Sequence, residues 1–111
     1  MTEQQTNQAI QELQGIEHAL QHISMQKQGV QVELNEAVNA LNEIKKSKDD
    51  VYRVLGGIMV KADIPALSKE LEEKKKVLEI RIQSIEKQEK ETAEKSQKLR
   101  ETVTKALSNA K

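Results

Sequence analysis

The sequence has few of the residues that build a globular core. It has no Cys, Phe or Trp, and Tyr52 is the single aromatic residue among 111. Aromatic side chains supply much of the apolar area that a compact domain buries, so their scarcity argues against a core of that kind. Hydrophobic residues make up 36% of the chain and charged residues 32%, a balance typical of long helices with a narrow buried seam.

Other absences exclude whole classes of function. Lys and Arg number 18, as do Asp and Glu, so the formal net charge is zero. Nucleic-acid binders usually carry a basic excess because phosphate contacts supply much of their affinity, so no nucleic-acid partner is expected. No apolar run approaches the roughly 20 residues needed to cross a bilayer, and the N-terminus lacks a signal pattern. We therefore expect no membrane association, and the lack of Cys fits a cytoplasmic protein.

A heptad pattern predicts a first long helix, from about residue 5 to about residue 47. Seam residues recur at alternating steps of four and three, which is typical of a coiled coil. The first eight residues are polar and form either a frayed helix start or a tail, with Thr2 or Thr6 as the N-cap. Lys27 either sets the register or carries its amine out to solvent, which we favour. The seam positions are Ala9, Leu13, Ile16, Leu20, Ile23, Lys27, Val30, Leu34, Ala37, Leu41 and Ile44.

Strand-forming residues predict a β-hairpin over residues 51–62. The pair Gly56-Gly57 between two apolar runs is typical of a two-residue primed turn, which needs positive φ. Asp63 is a suitable N-cap, so a second helix is predicted from about residue 64 to about residue 110. Its seam positions are Leu67, Leu71, Lys74, Leu78, Ile82, Ile85, Glu89, Thr92, Ser96, Leu99, Val103, Ala106 and Ala110.

A hairpin between two helices of similar length reverses the chain. The expected fold is therefore all-α dominated: a long antiparallel two-helix coiled coil with a single β-hairpin, forming one domain over residues 1–111. Near the hairpin both seams are apolar. Further out the seam is half covered, and it is either a frayed end or a surface that binds apolar partners. The residues expected to meet there are Ile16, Leu20 and Ile23 of helix one and Glu89, Thr92 and Ser96 of helix two.

The hairpin itself requires a partner. An isolated two-stranded hairpin is marginal in water, and this one has apolar residues on both faces and two open edges. Because no other sheet is predicted in the chain, the pairing strands should come from other chains. The residues expected to mediate subunit assembly are Val51, Tyr52, Val54, Leu55, Gly56, Gly57, Ile58, Met59 and Val60.

No catalytic site, metal site or cofactor is predicted. His18 and His22 are spaced so that two imidazoles could share one metal, but the lack of Cys and of a third ligand favours a solvated helix face. The pair Gly56-Gly57 lacks the surrounding residues of a phosphate loop. No nucleophile can be combined with a base and an orienting group, so the chain is not expected to be an enzyme.

The segment from Val51 to Lys61 resembles prefoldin subunits, in particular the beta type of the archaeal kind. The resemblance continues through residues 78–82 and 86–90, and through residues 26–34 of helix one, so it covers nearly the whole chain. It implies an ATP-independent chaperone subunit. Such a subunit holds non-native polypeptides at the tips of its coiled coil and delivers them to a group II chaperonin.

The resemblance also implies the partners. In that family two alpha-type and four beta-type subunits form a hexamer, and their hairpins join in an intersubunit β-barrel. Alpha-type subunits have two hairpins, so the single hairpin here indicates the beta type. The expected partners are an alpha-type subunit, further beta-type copies, client polypeptides and the chaperonin. By position and exposure, the expected client-binding residues are Ile10, Leu13, Ile16, Leu20, Leu99, Val103 and Leu107.

Two alternatives stay open on the residues alone. A regulatory coiled-coil hairpin that inserts its tip into a large enzyme would need acidic residues at a tight turn between the helices. Asp49 and Asp50 lie near the turn, but apolar strands follow them, which fits assembly better. A structural tether that binds a large partner complex would not need the β-hairpin.

Overall fold

Two long helices with one hairpin between them make up the computed structural model, which describes residues 1–109. Helix α1 spans Glu3–Lys46 and helix α2 spans Ile64–Asn109. Strands β1, Tyr52–Leu55, and β2, Ile58–Lys61, lie between them in sequence. The predicted elements and their order are therefore confirmed, and α1 begins slightly earlier than the heptad pattern indicates.

The chain divides into two compact units. Residues Gly29–Ile82 form the first, which we call the hairpin unit because it contains both strands. The second, the terminal unit, consists of Met1–Gln28 and the described residues from Gln83 onward. Each unit contains a segment of both helices, so each has a seam of its own.

The core of the hairpin unit is the apolar seam that the heptad pattern predicts. Each α1 seam position of this unit is buried or half-buried, and Leu41 is 4% exposed. From α2, Leu78 is 3% and Ile82 is 9% exposed. Full burial of a Leu or Ile side chain is worth about 1.5–3 kcal/mol. Packing along the seam, more than helix propensity, therefore stabilises these helices.

The α2 seam differs from the sequence prediction at one position. Lys74 is predicted in the seam, but it is exposed and its neighbour Lys75 is half-buried. With Lys75 in the seam, steps of four and three alternate from Leu71 as far as Ala106, and the two consecutive four-residue steps move to the start of the helix. A lysine can occupy such a position because its methylene stem packs on apolar neighbours while its amine reaches water. The Lys74 prediction is wrong by one residue, and Ala110, the last predicted position, lies outside the described residues.

The hairpin has the predicted two-residue turn. Gly56 has a φ of 60°, in the left-handed region, whereas Gly57 has no positive φ. This combination matches a type II′ turn, whose backbone twist agrees with the right-handed twist of the paired strands. The Ala62 N–H donates to the Val51 carbonyl at 2.8 Å, so pairing continues one step past the strands. The strand pairs are Tyr52 with Lys61, Arg53 with Val60, Val54 with Met59 and Leu55 with Ile58.

Replacing Gly56 by Ala should loosen the hairpin, whereas Gly57→Ala should not. Apart from adjacent residues, no heavy atom lies within 4 Å of either new Cβ, so the variants differ in φ alone. Left-handed backbone costs a non-glycine residue about 1–2 kcal/mol. We expect the Ala62 amide to exchange with solvent roughly 5–30 times faster in G56A, measured by NMR. Equal exchange rates in the two variants would contradict this turn geometry.

The terminal unit begins with a reciprocal cap at Thr2. The Gln5 N–H donates to Thr2 Oγ1 at 3.1 Å, and the Thr2 N–H donates to Gln5 Oε1 at 2.8 Å. This is a capping box in its T-x-x-Q form. Thr2 rather than Thr6 is therefore the N-cap, and the polar start of the chain is helix rather than tail. Thr6 is only 8% exposed, and its hydroxyl donates to the Thr2 carbonyl at 3.0 Å.

The seam continues through the terminal unit with smaller and more polar side chains. From α1, Ala9 and Ile23 are each 6% exposed. From α2, Ile85 and Val103 are buried, but so is Ser96, which offers little apolar area. As predicted, the α1 seam is mainly apolar in this unit and the α2 seam is partly polar. The helices bury Ile23, whereas Ile16 and Leu20 are only half-buried.

Two ion pairs give the relative direction of the helices in this unit. Glu17 pairs with Arg100, and Lys27, further along α1, pairs with Glu89. The partner's residue number falls on α2 as it rises on α1. The helices of the terminal unit are therefore antiparallel, as predicted.

Candidate functional site

The hairpin presents six large apolar side chains to solvent, and we call them the hairpin surface. Their exposed fractions range from 42% for Val60 to 70% for Val54. Alternate residues of a strand point to opposite faces, so the surface has two sides. One side has Tyr52, Val54 and Met59, and the other has Leu55, Ile58 and Val60. Of the other expected assembly residues, Val51 is half-buried and the two glycines form the turn.

Each strand of the hairpin has one open edge. The sheet has two strands, so within residues 1–109 no third strand pairs with β1 or β2. Unpaired N–H and C=O groups along an edge are a template for a strand of another chain. Added strands would form main-chain hydrogen bonds, and the apolar side chains beside the edge would supply further contacts.

A bidentate ion pair connects β1 to α2. Arg53 Nη1 donates to Glu70 Oε2 at 2.8 Å, and Arg53 Nη2 donates to Glu70 Oε1 at 3.2 Å. Paired N–H groups on one carboxylate add geometric specificity as well as energy. Beside the second strand, Lys61 Nζ lies 3.6 Å from Asp50 Oδ1. Sequence patterns did not indicate the Arg53–Glu70 pair, because no helix or strand period links residues 17 apart across two elements.

Lys27 keeps its seam position and contacts two carboxylates of α2. Its Nζ lies 3.3 Å from Glu89 Oε1 and 3.9 Å from Glu86 Oε2. The side chains of Lys27 and Glu89 are 34% and 33% exposed, so both are partly withdrawn from water. The amine is held between the helices by charge. This geometry favours the register-setting role of Lys27 over the solvent-directed one that we favoured from sequence.

The expected client-binding residues occupy three environments in the terminal unit. Leu107 is 53% exposed, whereas Val103 is only 7% exposed. A polypeptide can therefore contact Leu107 directly, but it can reach Val103 only if the helices part. The other five are half-buried and accessible from the flanks of the seam: Ile10, Leu13, Ile16, Leu20 and Leu99.

An open groove of about 690 Å³, the end groove, lies between the start of α1 and the last described turns of α2. Its α1 side was not predicted, because the polar first eight residues fit a frayed helix start or a tail equally well. The spacing of Thr2 and Gln5 was the signal that could have identified them as ordered helix. The groove is lined by Met1, Glu3, Thr6, Asn7, Thr102, Lys105, Ala106, Leu107 and Asn109.

A second open groove, the side groove, has a volume of about 710 Å³. It lies beside Thr92, a half-buried polar residue of α2, and beside Ile23 of the apolar α1 seam. Its Met25 is 69% exposed, and a flexible thioether can adapt to partners of varied shape. The lining residues are Ala19, His22, Ile23, Met25, Gln26, Gln88 and Thr92.

The described chain offers little that could bind a metal. His18 and His22 are both exposed, which agrees with a solvated helix face. Within residues 1–109, no group of three His, Cys, Asp or Glu side chains converges on a possible metal position. In the same residues, neither helix contains an apolar stretch sufficient to span a bilayer.

Comparison with known sequences identifies the family. The profile of the family described as "Prefoldin subunit" matches residues 7–110. Prefoldin subunit beta of Thermococcus onnurineus is 40% identical over 98 residues, which cover 86% of this chain and 84% of that relative. Prefoldin subunit beta of Pyrococcus furiosus is 38% identical over 98 residues, with the same coverage.

Solved structures agree with the sequence comparison. The crystal structure of the prefoldin beta subunit from Thermococcus strain KS-1 superposes with a TM-score of 0.84 at 36% identity, covering 93% of this chain and 92% of that one. The prefoldin beta2 subunit of the same strain has a TM-score of 0.69 at 24% identity. The second match shows a shared fold alone.

Proposed function

The chain belongs to the prefoldin family of chaperone subunits, and we propose that it holds non-native polypeptides without hydrolysing ATP, as a beta-type subunit of a larger complex. The observation that carries this proposal is the hairpin surface. Its apolar side chains are exposed and its strand edges are open within the described residues. In a free monomer such a surface promotes aggregation. In an oligomer other chains cover it, and it contributes to assembly.

We propose that the hairpin joins those of an alpha-type subunit and of further copies of this chain. The complex is a hexamer of two alpha-type and four beta-type subunits, with the hairpins closed into an intersubunit β-barrel. Closure pairs both open edges of every hairpin, and a barrel interior takes one apolar face of each. Full burial of Ile58 or Val60 contributes about 1.5–3 kcal/mol per side chain.

Clients bind to the terminal unit in this proposal. Its half-buried seam flanks, the exposed Leu107 and the two open grooves offer apolar contacts of no fixed geometry, which suits varied unfolded sequences. A single contact of this kind is weak, but several subunits that act on one polypeptide raise the overall affinity by avidity. The held client then passes to a group II chaperonin in the cytoplasm.

The test is an aggregation assay in the absence of nucleotide. A chemically unfolded client is diluted into the chain assembled with an alpha-type partner, and light scattering is followed over time. We expect scattering to be suppressed equally with and without ATP and Mg²⁺, because clients bind by contact alone. An equal mass of serum albumin is the control. Protection that appears only with ATP, in a preparation free of chaperonin, would overturn the proposal.

The regulatory-hairpin alternative is less well supported. It requires free acidic side chains at the turn, but the turn residues are glycines and the nearby Asp50 carboxylate lies 3.6 Å from Lys61 Nζ. A structural tether is also less well supported, because it gives the hairpin surface no role.

A further inference from the structure

The apolar side chains of the hairpin do little to fix it against the helices. Tyr52, Val54, Leu55, Ile58, Met59 and Val60 are all more than two-fifths exposed, so packing leaves the orientation of the hairpin loosely determined. The strands connect to α1 through residues 47–51 and to α2 through residues 62–63. The backbone of such short segments, which belong to neither helix nor strand, can adopt several angles unless a side chain restrains it.

Arg53 supplies such a restraint. In the part of the chain that the structure describes, Arg53–Glu70 is the sole side-chain hydrogen-bonded pair that joins a strand to a helix. The Lys61–Asp50 pair lies between a strand and a linker. Two parallel N–H···O bonds fix the plane of the guanidinium against the plane of the carboxylate, which one point charge cannot do. Arg53 also shares a hairpin face with Leu55 and Ile58, so it orients that face directly.

We propose that Arg53 and Glu70 form a positioning clamp that holds the hairpin at the angle required for pairing with the hairpins of other subunits. The inference rests on the proposed function, because it concerns how the hairpin surface enters the complex. A preorganised binding segment loses less conformational freedom on association than a mobile one, so the clamp strengthens assembly without contacting the partner. An exposed ion pair changes an equilibrium constant by at most about fivefold. We therefore expect an effect of that size on the association constant for each hairpin that carries the clamp.

The orientation can be measured directly because the chain has no Cys. Full-length chain with Met59→Cys and Lys76→Cys, both at exposed positions, takes two spin labels, and pulsed electron resonance gives the distribution of distances between them. We expect Arg53→Lys and Glu70→Gln each to broaden this distribution in the free subunit. Far-UV circular dichroism should not change, so a general loss of structure would be detected separately.

Assembly gives the second readout. With an alpha-type partner, R53K and E70Q should each weaken association by about two- to fivefold per hairpin, measured by sedimentation over a concentration series. The charge reversal R53E should be more damaging, and the double variant R53E/E70R should restore most of the loss. Arg100→Gln is the matched control, because it removes an Arg–Glu pair from the terminal unit and should change neither readout.

The outcomes separate the clamp from the assembly surface. Unchanged distance distributions and unchanged assembly in R53K and E70Q, together with loss of the complex in Ile58→Asp/Val60→Asp, would overturn the clamp and leave the proposed function standing. Normal assembly of the Ile58→Asp/Val60→Asp chain would overturn both. Broadened distances, weakened assembly and rescue by charge reversal would together establish the clamp.

Discussion

A chain with Ile58→Asp and Val60→Asp should remain helical and fail to join the complex. Both residues lie on one side of the hairpin surface, and their side chains are 64% and 42% exposed. Carboxylates there meet water in the free subunit, so the helices are unaffected. In the assembled state they would be buried without partners, and the penalty for burying an unpaired charge is several kcal/mol. Since about 1.4 kcal/mol is a factor of ten, association should fall by more than about a thousandfold.

Sedimentation velocity with an alpha-type partner measures this loss, and far-UV circular dichroism checks that the helices persist. The chain offers a matched control in the same unit. Val77 and Ile80 of α2 are 55% and 65% exposed, so Val77→Asp/Ile80→Asp makes the same chemical change at similar exposure outside the hairpin. We expect the control to assemble normally. A complex that forms equally well with both double variants would show that the hairpin is not the assembly surface.

The features that follow a short-range rule could be predicted from the sequence. The α1 seam is set by a 3.5-residue period that holds from Ala9 to Ile44, and every one of its positions is buried or half-buried. The turn was predictable because few residues other than glycine accept the left-handed backbone found at Gly56. The antiparallel direction followed from the reversal that a single hairpin imposes.

Features that depend on three-dimensional contact were not predictable. Lys74 and Lys75 have the same side chain. The seam of α2 needs two consecutive four-residue steps, and these fit the sequence either at residues 67–71–75 or at residues 74–78–82. Periodicity therefore cannot choose between the two lysines. The Arg53–Glu70 pair depends on where the hairpin lies relative to α2, which no local pattern encodes. For Lys27, the sequence shows a charge in the seam. The carboxylates that contact it both lie on α2, at Glu89, which is 62 residues away, and at Glu86.

The candidate surfaces were only partly predictable. The hairpin surface could be identified because a two-stranded sheet with apolar residues on both faces lacks any partner in its own sequence. The end groove was missed because a Gln-rich start resembles a tail unless the cap is recognised. The tip residues were expected from position and exposure, but the heptad pattern separates two of them. Val103 is a seam position and is buried, whereas Leu107 lies outside the seam and is exposed.

Removing residues 1–20 together with residues 97–111 should weaken client protection strongly and spare assembly. The deletion takes away the end groove and all seven expected client-binding residues. It leaves the hairpin unit, Gly29–Ile82, with its buried Leu41 and Leu78 and its strands intact. Avidity amplifies the loss, because every truncated subunit loses its contact at once. We expect sedimentation with an alpha-type partner to show a full complex, and the light-scattering assay to show much less protection than the parent complex gives.

A single substitution then identifies which part of the terminal unit holds the client. Thr92→Leu fills the side groove next to Ile23 and should stabilise the unit by roughly 1 kcal/mol, since each buried methylene contributes about 0.8. Ser96 is unsuitable for the same change because it is already 6% exposed, and a larger side chain there would overpack the seam. T92L should melt at a higher temperature than the parent in either case. If clients bind at the seam flanks, T92L should also protect them less from aggregation. If T92L protects as well as the parent while Leu107→Ser protects less, the clients bind at the end groove and the seam is structural. Full protection by the truncated complex would instead mean that clients bind outside the deleted segments.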